Sequence, residues 1–203
     1  MSQIPHGEIK MPPLSSADAC KIAEAALGVL APEMLERPQP LDLIDIIDHR
    51  LQRFGVHVVP ATADELASEY GATDPTGDPG DPINILLRED EWESVFQRGR
   101  RAHHSRGTAA HEIGHAIVHV EKIRRRMRLQ LHHLLARVDV TSIKAYESPE
   151  WQAWAVGGCL LMPPSMVRLL SDRSPGAVAD LFEVSEAIAT HHLRRMARII
   201  EGR

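Results

Sequence analysis

Cysteine is nearly absent: Cys20 and Cys159 are the only two in 203 residues, and they stand far apart. With no Cys-x-x-Cys pair, neither a zinc ribbon nor a disulfide framework is supported. The plain reading is a pair of reduced thiols in a cytoplasmic protein. Long apolar runs are missing too. Nothing approaches the 18 or so consecutive apolar residues that a membrane-spanning helix needs. The N-terminus carries Pro5, His6, Glu8 and Pro12 and lacks the apolar core of a signal peptide. No segment repeats along the chain. What is present is ordinary, 43% hydrophobic and 25% charged residues, as in a soluble globular protein with a real core.

The net charge of −5 hides an asymmetry. Residues 1–91 hold 6 Lys and Arg against 17 Asp and Glu, whereas residues 92–203 hold 17 against 11. The basic half places Arg98, Arg100, Arg101 and Arg106 before a His-rich motif, and Lys122, Arg124, Arg125, Arg126 and Arg128 after it. Such a cluster could steer an acidic protein partner toward a cleft between the two runs, or simply be a solvated face. Nucleic acid is the less favoured partner.

Residues 1–14, rich in proline and without periodicity, are expected to be a flexible leader. Residues 15–203 are expected to form one domain, with 165–203 as a helical C-terminal subregion. Within it, Ser15 or Ser16 can cap a helix from Ala17 to Leu30. A second helix is predicted from Leu41 to Phe54, closed by Gly55. A strand is predicted from Val56 to Val59, ended by Pro60, and another from Ile83 to Arg88. Thr62 and Glu65 have capping-box spacing before a short helix to Tyr70. The Gly-, Asp- and Pro-rich stretch 71–82 reads as loop. Trp92 to Gly99 is ambiguous between helix and strand. A motif helix runs from about Ser105 to His119, and Ile123, Met127, Leu131, Leu134, Leu135 and Val138 prolong its period. The fold class is α+β, mainly helical with a small sheet.

The chemistry is concentrated in His111-Glu112-Ile113-Gly114-His115. Residues four apart share a helix face, so His111 and His115 can aim two imidazoles at one point. Imidazole suits zinc, and three protein ligands plus water make a catalytic zinc site. Glu112 can act as general base on that water. The alternative is a buried helix whose histidines are hydrogen-bonded core residues. The third ligand must come from elsewhere, and among Glu121, Asp139, Glu147, Glu150, Asp172, Asp180, Glu183 and Glu186 the best placed is Glu150. It opens a helix capped by Ser148 with Pro149 at the first position. From the residues alone, Glu150 as ligand and Glu150 as a favourable charge at a helix N-terminus stand level. His119 extends the motif face. A fourth protein ligand would close the site to water, so a place behind the ligands or plain core packing is expected. Gly114 could allow another helix to approach or be a merely tolerated glycine. His103, His104, His132, His133 and Tyr146 are weak candidates for stabilising an oxyanion.

Thr108-Ala109-Ala110-His111-Glu112-Ile113-Gly114-His115-Ala116-Ile117-Val118-His119, followed by Glu150-Trp151-Gln152-Ala153 and Leu160-Leu161-Met162-Pro163, resembles the ImmA/IrrE family of zinc metallo-endopeptidases. Trp154, Val156 and Gly157 stand where that family usually has Asn, Phe and Ala. The resemblance implies a zincin-like fold of the gluzincin type. It implies Zn²⁺ held by His111, His115 and Glu150, Glu112 as the base, and a regulatory protein such as a helix-turn-helix repressor as substrate. The competing class is a non-catalytic DNA-binding or repressor-partner module with a structural or vestigial metal site. It draws on Ser185 as the cap of a last helix, Ala187 to Ile200, carrying Arg194, Arg195 and Arg198.

Overall fold

The computed structural model describes residues 10–97, 99–129 and 143–202. The first nine residues of the expected leader, Arg98, and the prolongation of the motif helix through Leu131, Leu134, Leu135 and Val138 lie outside the described residues, as do His132, His133 and Asp139. The fold is α+β and mainly helical, with one three-stranded sheet and helices at the C-terminal end. Among the described residues no helix is long and apolar enough to cross a membrane.

Met11 and Leu14 are buried, and their N–H groups donate to the carbonyls of Glu147 and Tyr146 at 2.9 Å each. Ser15 then caps α1 (Ser16–Leu30), its hydroxyl accepting from the Asp18 N–H at 3.1 Å. The apolar stripe of α1 buries Ala19, Cys20, Ala23, Leu27 and Leu30. The predicted second helix forms over 43–54 in three registers: α2 (Leu43–Asp45), a π turn over Ile46–Arg50 and a 3₁₀ turn over Leu51–Phe54. Gly55 ends it at φ 70°, the left-handed position that glycine occupies without steric penalty.

The sheet contains β1 (Val56–Ala61), β2 (Gly71–Asp74) and β3 (Ile83–Arg88) in the order β1-β3-β2. The pair β1–β3 is parallel and β2–β3 antiparallel. Three expectations are corrected. Strand β1 runs through Pro60, which an edge strand tolerates. The Thr62–Glu65 capping box forms, with the Thr62 N–H donating to Glu65 Oε2 at 2.8 Å and the Glu65 N–H to Thr62 Oγ1 at 3.3 Å. No helix follows it, because Ala67 and Ser68 take φ of 50° and 72° and fold the chain into turns. Finally, the expected loop 71–82 begins with β2. In Gly-Ala-Thr-Asp only Thr73 favours a strand. Pairing from Gly71↔Leu87 to Asp74↔Asn84 imposes one, a tertiary override of local preference.

Of the ambiguous stretch, Trp92 to Val95 are helical, as the end of α3 (Glu89–Val95), and the chain turns at Phe96 and Gln97. The motif helix α4 (Arg100–His115) starts earlier than expected, passes through a π turn over Ala116–Val120 and continues as α5 (Glu121–Arg128). Then come α6 (Pro149–Leu161), α7 (Pro164–Val167), α8 (Pro175–Phe182) and α9 (Glu186–Ile200). Ser148 and Ser185 cap α6 and α9 as expected, accepting from the N–H groups of Trp151 (3.4 Å) and Ile188 (3.2 Å). Helix α9 buries Ala189, His192, Met196 and Ile200, so its apolar side is committed to the core.

Two of the flanking basic residues prove to be internal struts. Arg124 is buried, and its guanidinium donates to the carbonyls of Thr76, Asp81 and Pro82 at 2.6–2.9 Å, which ties the 74–82 loop to α5. Arg106 is buried and donates to the Leu41 carbonyl at 2.7 Å. Neither belongs to a steering surface. Between α1 and α6 the two cysteines, distant in sequence, lie with their sulfurs 3.1 Å apart and unbonded.

The contact that positions the site is α4 against α6. A Cβ on Gly114 would stand 2.6 Å from the Ala153 carbonyl oxygen, and one on Gly157 would stand 2.5 Å from that of Ala110. Each helix therefore presents a glycine to the other's backbone. Gly28, on the exposed side of α1, has nothing within 4 Å of its imaginary Cβ. The two kinds of glycine should respond oppositely to alanine. In denaturant titrations Gly28→Ala should stabilise the protein by about 0.5–1 kcal/mol. Gly157→Ala should destabilise it by about 1–3 kcal/mol or more, as overpacking does. Equal and small effects would mean that the helices are not in backbone contact.

Candidate metal centre

The motif helix faces β2 and α6, and the three elements enclose the polar residues of the motif. His111, His115 and Glu112 are buried, on a helix that otherwise buries Ala109, Ala110 and Ile113. The α-helical spacing of four puts the Nε2 atoms of His111 and His115 3.1 Å apart. Glu150, in the first turn of α6, completes the group. Its Oε2 lies 3.2 Å from His111 Nε2 and its Oε1 3.4 Å from His115 Nε2. The crossing at Gly114 and Gly157 is what brings that first turn within reach.

These three side chains can offer one donor atom each, all within 4.8 Å of one another. Nitrogen donors at about 2.0–2.1 Å from a tetrahedral zinc stand about 3.3–3.4 Å apart, close to the edges measured here. Two imidazoles and a carboxylate are donor chemistry that zinc accepts, with a fourth position left for water. The residues present therefore fit such an ion. Glu147, the neighbouring alternative, turns away to pair with Lys10 at 3.1 Å.

Glu112 is held beside this group. Its Oε1 lies 4.0 Å from His111 Nε2. Its Oε2 accepts a hydrogen bond from the Thr73 hydroxyl at 2.8 Å, and the same hydroxyl is 3.0 Å from the Glu112 carbonyl. Burial raises the Glu112 carboxyl from its ordinary 4.5 to about 7, against the neighbouring His115 imidazole and the Thr73 hydrogen bond, which act the other way. The negative charge of Glu150 adds to the rise. A carboxyl poised near neutrality suits a group that takes and returns a proton. For Glu150, burial also opposes ionisation, but hydrogen bonding and charge from His111 and His115 outweigh it and hold the carboxyl far below the usual range.

Three contributors escaped the sequence reading. Thr73 sits on a strand that was expected as loop. Trp154, noted only as a departure from the resembled pattern, lays its ring 4.4 Å from that of His111. Gln152 hydrogen-bonds to His119, which lies behind His115 and outside the donor group. A polar residue two positions after Glu150 on an otherwise apolar helix was the available signal for Gln152. The other expected candidates stand apart: His104 faces Glu91 at 3.2 Å and Tyr70, and the Tyr146 ring is exposed beneath Lys144. Arg101 pairs with Asp90 at 3.2 Å.

Compared with known protein families, residues 98–194 fit the one described as the IrrE N-terminal-like domain, Peptidase_M78. No curated protein and no solved structure matches the chain. The matched region contains α4, α5, α6 and most of α9, hence all three donors and Glu112.

The Glu112 environment has a consequence for stability. Its folded pKa lies above the ordinary value. The fold thus favours the protonated form, and the associated stability is complete below pH 4.5 and lost as pH rises through about 7. Glu112→Gln cannot ionise. In metal-free protein it should unfold at a higher temperature than the parent above pH 7. The advantage should reach up to about 3 kcal/mol, because each tenfold change in a protonation equilibrium is worth ~1.4 kcal/mol. The gap should close by pH 4.5. A gap that does not vary with pH would show that Glu112 is not desolvated.

Proposed function

Over residues 98–194 the chain belongs to the IrrE N-terminal-like peptidase family, and from that premise we propose that it is a zinc-dependent endopeptidase acting on a regulatory protein. Membership makes it a peptidase, with a protein as substrate. The observation that carries the finer reading is the convergence of His111, His115 and Glu150 at 3.1–3.4 Å, with Glu112 buried alongside. In this reading His111, His115 and Glu150 hold zinc. Zinc, when bound, supplies a Lewis acid and a water acidified to near neutrality. Glu112 takes a proton from the attacking water and passes it to the leaving amine. Thr73 holds the Glu112 carboxylate in place for both transfers. Strand β2 ends the sheet order with no further strand paired to it among the described residues, and in this reading an extended peptide adds to that edge as a further strand. Thr73, in that strand, bonds to Glu112, so the peptide would run past the base.

The resemblance to the ImmA/IrrE proteases supports a helix-turn-helix repressor as the substrate, and a cytoplasmic location follows from where such a repressor works. The DNA-binding alternative finds less support. The helix it needs, α9, buries one side in the core, and its Arg195 is half-buried, 3.4 Å from the Trp154 carbonyl.

The test is zinc content measured beside cleavage of a helix-turn-helix repressor incubated with the protein. Glu112→Gln should retain zinc and lose roughly 10²–10⁴-fold in cleavage rate, the share of a general base. Glu150→Gln should lose zinc and cleavage together. Undiminished cleavage by Glu112→Gln, or a parent protein that binds no zinc, would refute the reading.

A further inference from the structure

We propose that Cys20 and Cys159 form a modification site, at which a peroxide converts the two thiols into a disulfide that fastens α1 to α6. The inference stands apart from the metal-site reading, since neither sulfur belongs to the donor group.

Placement comes first. The two residues are 139 positions apart in sequence, yet their sulfurs lie 3.1 Å from each other in the seam between α1 and α6. Both are free thiols. A disulfide bond is ~2.0 Å long, so closing it takes an approach of about 1 Å between side chains that already point at each other. The Met196 sulfur of α9 stands 3.6 Å from that of Cys20 and backs the pair with a soft, polarisable wall. A buried cysteine serves a core as a small apolar residue. That role accounts for either thiol by itself, and it does not call for a second one facing it from another helix.

The two sulfurs are not equivalent. Cys20 is 5% exposed and Cys159 0%, so a small oxidant reaches the pair from the Cys20 side. The hydrogen bond with Cys159 lowers the Cys20 thiol, against burial and the charge of Glu24. Burial raises the Cys159 thiol well above its ordinary value. The thiolate is the nucleophile, which makes Cys20 the attacking sulfur and Cys159 the resolving one. Cys20 attacks one peroxide oxygen: the S–O bond forms as the O–O bond breaks, giving a sulfenic acid and hydroxide. The Cys159 sulfur then attacks that of Cys20: the S–S bond forms as the S–O bond breaks. The second hydroxide leaves and takes up the Cys159 proton as water. Overall, two thiols and one hydrogen peroxide give one disulfide and two waters. With the resolving thiol in contact, the sulfenic acid is consumed before it can be oxidised further.

The bond would act on the part of the fold that positions the candidate site. Cys159 is on the helix that opens with Glu150, two residues after Gly157, whose backbone meets Ala110 of α4. A disulfide to α1 therefore ties a third helix to that crossing. Cross-linking positions so distant in sequence restricts the unfolded chain strongly, so oxidation makes the crossing harder to open.

The experiment exposes the full chain, free of metal, to hydrogen peroxide, alkylates the remaining thiols in denaturant and reads both cysteines by non-reducing peptide mass spectrometry. The expected product is an intrachain link between the peptides that carry Cys20 and Cys159, two hydrogens lighter than the separate peptides and reversed by dithiothreitol. The linked chain should melt roughly 5–10 °C above the reduced one. In Cys159→Ala the same exposure should leave a sulfenic acid at Cys20 that dimedone captures. In Cys20→Ala the Cys159 thiol should stay unmodified. The linked peptide of the parent reads the proposal even where a variant fails to fold. Two intact thiols after exposure overturn it, as do sulfinic or sulfonic acids without a link, a link between two chains, or a linked chain that melts no higher than the reduced one. Oxidation of Cys159 in Cys20→Ala as fast as that of Cys20 in Cys159→Ala overturns the assignment of Cys20 as the attacking sulfur.

Discussion

The backbone contact between α4 and α6 is the constraint on which the rest depends. With Gly114 meeting Ala153 and Gly157 meeting Ala110, the two helices cross closer than any pair of Cβ-bearing residues would permit. Closeness matters because Glu150 is in the first turn of α6 and the histidines are in the last turns of α4. A glutamate reaches only a few ångströms from its backbone, so a wider crossing would leave its carboxylate short of both imidazoles. The same crossing aligns Trp154 with the His111 ring and Gln152 with His119, since both are about a turn or less from Glu150. One steric feature thus sets the donor triangle, the ring that packs on it and the hydrogen bonds behind it.

Around that crossing the protein buries a high density of polar groups and satisfies most of them by direct bonds, His111 Nδ1 and His192 Nδ1 being exceptions among the described residues. Glu112, His115, His119, Gln152 and Thr73 are all nearly inaccessible. Each buried polar atom left without a partner costs free energy comparable to a lost hydrogen bond, and the network answers this with donors and acceptors drawn from distant parts of the chain. Thr73 comes from β2, and the carbonyls of Pro12 and Tyr146 come from segments that lead into α1 and α6. The result couples the site to the tertiary fold, since displacing any of these segments exposes or orphans a group next to the donors.

Charge plays a more structural role than its distribution along the chain suggests. The basic residues around the motif resembled a steering surface. Arg106 and Arg124 instead point inward and hold carbonyl oxygens of the 41 and 75–82 segments. Arg124 is the more consequential of the two, because the loop it clamps joins β2 to β3 and so fixes the strand that carries Thr73.

The sequence by itself determined the elements whose signals are local. Ser15, Ser148 and Ser185 are caps because their hydroxyls reach an N–H three residues on. Gly55 ends its helix because only glycine takes the left-handed angle freely, and Ile83–Arg88 alternates as a strand facing a core must. His111 and His115 share a face because a helix turns every 3.6 residues. Only the tertiary structure decided the rest. It chose Glu150 over Glu147 to stand by the histidines, since the choice depends on where α6 crosses α4. It made a strand of Gly71–Asp74, of which only Thr73 leans that way before β3 pairs with it. It turned two arginines inward and set the Gln152 amide against two carbonyls outside its own helix. Those outcomes depend on partners 6 to 140 residues distant, and no local pattern of residues encodes which partner will arrive.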